Sequence, residues 1–274
     1  MAKNFLFEIG TEEIPAGYMP SLLQEVKEVA TAYLEEHHLG YGTVRALGTP
    51  RRVALLIDEV AEKAEDKTEK AKGPSVSIAF DADGNPTKAA IGFAKGKGIE
   101  ASALTVEDGY VYAEMATKGE EAKVLLSNLM ATLVKGLHFS KSMRWADYEE
   151  RFARPIRWFV ALLGEEVLPF SYASATSSNV TRGHRFLGER EFVIPSPESY
   201  VDTLRAQFVL VDQEERGALI KEQLEAIAKE QGGTLLWDED LFEEVLYLVE
   251  YPTALCGSFA ESYLELPTAA VVTP

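Results

Sequence analysis

The first sixty residues change hydrophobic period twice, and those changes restrict the chain to a mixed architecture. Phe5-Leu6-Phe7-Glu8-Ile9 is a short apolar run ended by Gly10 and reads as a strand. Tyr18, Leu22, Val26, Val29, Tyr33 and His37 then recur at spacings of three and four, one face of an amphipathic helix closed by Gly40. Thr43 to Leu47 and Arg52 to Val60 are again β-branched and aliphatic, and predict two strands joined at Gly48-Thr49-Pro50. A chain that alternates in this way packs helices against mixed sheets, an α+β fold.

The charged stretch from Glu62 to Lys72 has almost no apolar content and reads as a linker into a second unit. There Val76, Ile78 and Phe80 alternate, and Asp83-Gly84-Asn85-Pro86 supplies a turn. A short helix is expected over Thr87 to Ala94, a hairpin over Thr105 to Thr117 around Asp108-Gly109, and a helix from Glu120 to Leu137. Beyond it, Arg154 to Leu163 is apolar enough for a helix or a buried strand, while Glu166 to Ala175 and Phe192 to Ile194 read as strands. Pro197 opens a short helix, Asp212 caps a longer one that Gly232-Gly233 stops, and Asp238 or Asp240 caps another running through Val249. The predicted organisation is a discontinuous first α+β domain (1–61 and 141–190), a small α+β domain inserted into it (73–138), and a helical and mixed segment (191–274). That last segment packs on the first domain and is truncated at its C-terminal end.

Composition narrows the function classes. No apolar run approaches the roughly 20 residues that span a bilayer, and the N-terminus lacks the apolar core of a signal peptide. These features predict a soluble, cytoplasmic chain. The single cysteine, Cys256, leaves no partner for a disulfide and no Cys-cluster zinc site, and is expected in the core. The net charge of −17 argues against non-specific coating of nucleic acid. That charge is uneven: residues 230–274 hold nine acids and no Lys or Arg, leaving 27 bases against 35 acids upstream.

Most candidate chemistry dissolves on inspection. Glu8, Glu12 and Glu13 cluster at a strand end, where carboxylates serve acid–base work, bind a metal or simply occupy a loop. Asp81-Ala82-Asp83-Gly84-Asn85 lacks the Gly and Glu spacing of a calcium loop. The Gly92–Gly98 stretch matches neither a Walker A loop nor a dinucleotide fingerprint, and the four histidines form no zinc set. There is no G-x-S-x-G elbow. No catalytic or metal-ligating residue is assigned.

Three arginine blocks stand out: Gly48-Thr49-Pro50-Arg51-Arg52, Arg151-Phe152-Ala153-Arg154-Pro155-Ile156-Arg157-Trp158, and Thr181-Arg182-Gly183-His184-Arg185-Phe186, with Lys141-Ser142-Met143-Arg144-Trp145 just ahead of the second. Arginine forks match phosphates and carboxylates, and aromatics offer stacking platforms. Arg51, Arg52, Arg144, Arg154, Arg157, Arg182, His184 and Arg185 are therefore the candidate binding residues. If Arg154 to Arg157 opens a helix, its two arginines share one side. Two readings stand at this level: these arginines hold RNA, or they pair with the chain's many acids.

Together with Phe7-Glu8-Ile9-Gly10-Thr11-Glu12-Glu13-Ile14-Pro15 at the front, and Glu250-Tyr251-Pro252 and Leu264-Glu265-Leu266-Pro267 behind, these blocks resemble, in order, those of the β subunit of the bacterial two-subunit glycyl-tRNA synthetase. The resemblance covers essentially the whole chain. It implies a holoenzyme of two α and two β subunits, in which the α subunit carries the class II site using glycine, ATP and magnesium. It implies that the β subunit binds tRNA-Gly and is needed to charge it. The family continues into a histidine–aspartate-type helical domain and an anticodon-binding domain, so a chain ending at Val271-Val272-Thr273-Pro274 is expected to be an N-terminal fragment without a catalytic centre or cofactor of its own. The competing expectations are a protein-only scaffold for α-subunit assembly and a stand-alone RNA-binding module.

Overall fold

The computed structural model describes residues 2–81 and 84–268, the side chains of 67–69 and 115–117 excepted. Ala82 and Asp83 of the expected turn, and the terminal Val271 to Pro274, lie outside the described residues. The chain runs through β1 (Lys3–Thr11), α1 (Met19–Glu36), β2 (Val44–Thr49) and β3 (Arg52–Val60). Next come β4 (Lys67–Ser75), α2 (Val76–Ala79), α3 (Lys88–Gly96), β5 (Thr105–Glu107), β6 (Tyr110–Thr117) and α4 (Ala122–Gly136). Then follow β7 (Ile156–Leu163), β8 (Glu166–Val167), β9 (Ser171–Tyr172), β10 (Ala175–Ser178), β11 (Val180–Thr181) and β12 (Phe192–Val193). The chain closes with α5 (Tyr200–Ala206), α6 (Gln213–Glu230) and α7 (Glu239–Leu246). The fold is α+β, as the period changes predict.

β1 sits near the middle of a seven-stranded sheet ordered β2-β3-β1-β7-β10-β9, with β8 on β7. Its two ladders are antiparallel, with Glu8 opposite Ala54 of β3 and Val160 of β7; β10 joins β7 in parallel. Side chains alternate across a strand, so Phe5, Phe7 and Ile9 face one core with α1 and α4. Leu6, Ala54, Leu56, Trp158 and Val160 face a second core closed by Ile194, Tyr200, Leu204 and Val209. Both faces of the central strands are covered, which is why β1, β3 and β7 read as near-continuous apolar runs.

A second, three-stranded sheet runs β4-β6-β5 and packs on α2 and α3 around Ala79, Ala90 and Val111. β4 corrects the expected linker. A strand pairs through its backbone, and its charged side chains find cross-strand partners: Lys70 reaches Glu107 at 3.2 Å and Glu114 at 3.3 Å. Val76, Ile78 and Phe80 form no strand; α2 is a single helical turn with Ala79 buried and Ile78 exposed. Helix α4, expected in the inserted unit of 73–138, buries Leu125, Leu126, Leu129, Met130 and Leu133 in the larger core beside α1. A span of 67–117 is accordingly proposed for the small unit. The Arg154–Leu163 ambiguity resolves as a strand, so Arg154 and Arg157 open no helix. Cys256 is exposed rather than in the core.

The helix caps follow the sequence signals. Asp212 accepts from Glu214 N at 2.9 Å and Asp238 from Leu241 N at 3.0 Å. Because α4 closes the larger core, Leu129→Ala is expected to lower unfolding stability by about 2–5 kcal/mol in urea titration. A loss below about 1 kcal/mol would place α4 outside that core.

Candidate functional site

The even-numbered side of β1 carries an acid where its neighbours are apolar. Glu8 shares that face with Leu6 and Gly10 and is fully buried. A carboxylate without partners there would cost several kcal/mol. It has four: Trp158 Nε1 donates to Oε1, Thr181 Oγ1 donates to Oε1 at 2.5 Å, Tyr200 Oη donates to Oε2 at 2.5 Å, and Arg52 Nη1 lies 3.5 Å from Oε2. Arg52, equally buried at the start of β3, donates from Nη2 to Glu250 Oε1 at 3.2 Å and to Arg182 O at 2.8 Å, and from Nη1 to Thr181 Oγ1 at 3.3 Å. Glu250 also accepts from Thr49 Oγ1 at 2.9 Å and from Arg51 Nη1 at 3.2 Å. The result is a sealed alternation of charge, Glu8–Arg52–Glu250–Arg51, between the sheet and the segment after α7.

Trp158 roofs this chain. Its cross-strand partner is Gly10, and a Cβ on Gly10 would stand 1.9 Å from the indole. The ring therefore lies directly over the glycine, which aims Nε1 at Glu8. The guanidinium carbons of Arg182, Arg52 and Arg51 lie 4.8, 5.7 and 5.9 Å from the ring centroid, within cation–π range.

The electrostatics follow from burial and neighbours. Burial pushes the Glu250 carboxyl up, but the charges of Arg52 and Arg51 and the Thr49 hydrogen bond outweigh it and hold the carboxyl below its usual range. Burial pushes Arg52 down, and Glu250 and Glu8 overturn that, so it stays charged. Tyr200 is raised well above the usual phenol value by burial and by Glu8, which fixes it as a donor.

Apart from Arg182, which touches Trp158 and Arg52, the remaining candidates make no bond to the lock's carboxylates. Arg157 Nε donates to Glu12 Oε1 at 2.7 Å, and Arg185 lies 3.5 Å from Glu12 and 3.3 Å from Glu13, all at the exposed rim where β1 ends and β7 begins. Arg182 and His184 are half-buried beside them. Arg154 donates to Ala153 O at 2.9 Å, and Arg144 pairs with Glu149 at 3.0 Å. Of the two readings open for Arg51 and Arg52, the geometry matches pairing with acids: their terminal guanidinium nitrogens bond Glu250 and backbone or hydroxyl oxygens inside the protein. Glu12 and Glu13 are arginine partners. Among the described residues no three of His, Cys, Asp and Glu converge as a metal site, and no helix is long and apolar enough to cross a membrane.

Sequence reasoning missed Tyr200 and Glu250 as members of the cluster, and Arg216 altogether. Arg216 is buried in α6 and donates to Gly48 O at 2.8 Å, Leu246 O at 3.0 Å, and Leu210 O at 2.5 Å, tying α6 and the end of α7 to β2. Burial pushes its guanidinium down to about 10, against the pull of Tyr247 and Glu250. One signal was available: a charge inside a run that is apolar on both faces must be buried and therefore paired.

Fold and site together define an α+β protein whose charged centre is a structural lock, with an arginine-bearing rim above it. Comparison with known proteins supplies the particular group. The model of the family described as "Glycyl-tRNA synthetase beta subunit" matches residues 5–274. Glycine–tRNA ligase β subunits from Desulfitobacterium hafniense, Moorella thermoacetica and Halothermothrix orenii are 48%, 45% and 44% identical over the whole chain. The chain belongs to the glycyl-tRNA synthetase β-subunit family, and it spans about 40% of the length of those relatives.

Glu250→Gln is expected to cost about 3–5 kcal/mol, because Arg52 and Arg51 lose their shared counter-charge. A folded-state carboxyl held low contributes stability that is present above its unfolded value, about 4.3, and is lost as pH falls through the lower folded value. The variant should accordingly unfold with a flatter acid limb below about pH 4. Equal acid limbs for the two proteins would remove Glu250 from the lock.

Proposed function

We propose that the chain is the tRNA-contacting and assembly part of a glycyl-tRNA synthetase β subunit and holds no catalytic centre. It supports glycylation of tRNA-Gly by the α subunit, which uses the ATP and magnesium, in a cytoplasmic α2β2 holoenzyme. The family match supports the enzyme. The observation that carries the tRNA reading is the exposed rim, where Arg157 and Arg185 converge on Glu12 at the end of the sheet. Their ion pairs are exposed, and pairs of that kind are worth about 0–1 kcal/mol, so a phosphate can displace the carboxylates. The sealed pair Arg51 and Arg52 sets the height of that rim without contacting the ligand.

A second observation favours the assembly half of the reading. An apolar cleft of about 340 Å³ opens between α6 and α7, lined by Leu224, Leu236, Trp237, Leu241 and Val245, with Leu236 91% exposed. Asp238 lines it, and α7 itself carries Glu239, Asp240, Glu243 and Glu244. An apolar strip with an acidic edge suits a protein partner and repels RNA.

The test is binding of tRNA-Gly at two salt concentrations, with the α subunit absent and present. Binding that weakens steeply with salt supports the rim as an RNA surface. A stable complex with the α subunit and no tRNA binding in either condition supports the protein-only scaffold instead. Arg157→Ala with Arg185→Ala is expected to reduce the salt slope by roughly 2 while leaving the fold intact. Arg154→Ala with Arg157→Ala should slow charging by the reconstituted holoenzyme. An unchanged rate with unchanged assembly would refute the rim.

A further inference from the structure

The loop from Arg182 to Glu191, which joins β11 to β12, is heavily constrained and yet ends in a bare aromatic ring. Gly183 N donates to Glu189 O at 2.9 Å and Gly188 N to His184 O at 3.0 Å, closing the loop on itself. Gln207, just after α5, clamps it from outside: its carbonyl accepts from His184 N at 3.0 Å and its Oε1 from Glu189 N at 2.8 Å. From below, Arg51 Nη1 reaches Gly183 O at 3.3 Å and Arg52 Nη2 reaches Arg182 O. Neither glycine has room for a side chain, since a Cβ would stand 2.8 Å from Glu189 O at Gly183 and 2.4 Å from Gln207 O at Gly188. At the tip, His184 Nδ1 accepts from the amides of Phe186 and Leu187 at 3.3 and 3.2 Å, which folds the turn over the imidazole. Phe186 is 85% exposed and Leu187 54%.

A tip this well fixed would tolerate polar residues at no structural loss, whereas an exposed phenyl forgoes the free energy of burial. Its surroundings point to the occupant. Arg185 pairs with Glu12 and Glu13, Arg182 with Glu191 at 3.5 Å, and Arg190 has no ion-pair partner among the described residues. The tip presents Phe186 and Leu187 beside Arg185, in a loop that also carries Arg182 and Arg190. One projecting ring with arginines on either side matches a nucleobase stacked on the ring and phosphates held at its flanks.

We propose that Phe186 is a stacking platform for an unpaired base of the bound RNA, with Arg185 and Arg190 taking the adjoining phosphates. This rests on the tRNA reading above and adds a residue and a contact type to it. His184, Gly183 and Gly188 are positioning residues for the platform.

The experiment measures affinity of the chain for a tRNA-Gly transcript, with the α subunit present, for the wild type and for Phe186→Ala, Phe186→Leu and Phe186→Trp. Circular dichroism confirms that each variant folds, as expected for a side chain that is 85% exposed and meets only the His184 ring, at 6.2 Å between centroids. Stacking predicts at least a several-fold loss for alanine, a similar loss for leucine, affinity kept or raised by tryptophan, and an unchanged salt slope, because no charge is removed. Wild-type affinity in the alanine variant overturns the proposal while leaving the tRNA reading intact. Wild-type affinity in the leucine variant also overturns it, since leucine offers apolar contact but no π-face. Absence of salt-dependent tRNA binding by the wild type overturns both.

Discussion

A guanidinium enclosed at the end of a sheet dictates the rest of this structure. Arg52 has no access to water and lies between two carboxylates, one from β1 and one from the segment after α7. Either carboxylate alone would leave an uncompensated buried charge, and such charges cost more than any single contact returns. Every neighbour serves that requirement. Gly10 makes room for the indole that donates to Glu8, Thr181 and Tyr200 fill the remaining acceptor sites, and Arg216 pins α6 so that Glu250 arrives at the right place.

The secondary structure was largely legible because period and punctuation are local. β1, α1, β2, β3, the hairpin of β5 and β6, and the caps at Asp212 and Asp238 all stand where alternation, helical spacing and cap residues put them. The misreadings share one cause. Glu62 to Lys72 looks like linker because its side chains are charged, yet strand pairing is a backbone property, and the partner of β4, β6, lies some forty residues onward. Arg154 to Leu163 is ambiguous in isolation, and only burial on two faces decides for a strand. Cys256 was assigned to the core on residue type alone.

The site was harder to read for the same reason. Arg51 and Arg52 show what an arginine-rich block looks like from sequence whether it grips a ligand or an interior acid; what separates the cases is a partner 198 residues away. The two roles are stacked in space. The buried pair supports the backbone of Arg182 and Gly183, and that backbone carries the exposed Arg185 and Phe186. Packing and surface chemistry are therefore coupled through carbonyl groups rather than through side chains, and a change in the interior should shift the rim as a unit.

The distance between Arg52 and Glu250 along the chain also bears on synthesis. At about 5–20 residues per second, a ribosome takes roughly 10–40 s to add the 198 residues that separate them. Throughout that interval Arg52 has only Glu8 as a carboxylate partner, and β1 lacks the β7 neighbour that arrives more than a hundred residues later. The early sheet has every local instruction it needs and still lacks its counter-charge. The charge lock closes only once Glu250 has been made, so it ties the first sheet to a length of polypeptide far beyond it.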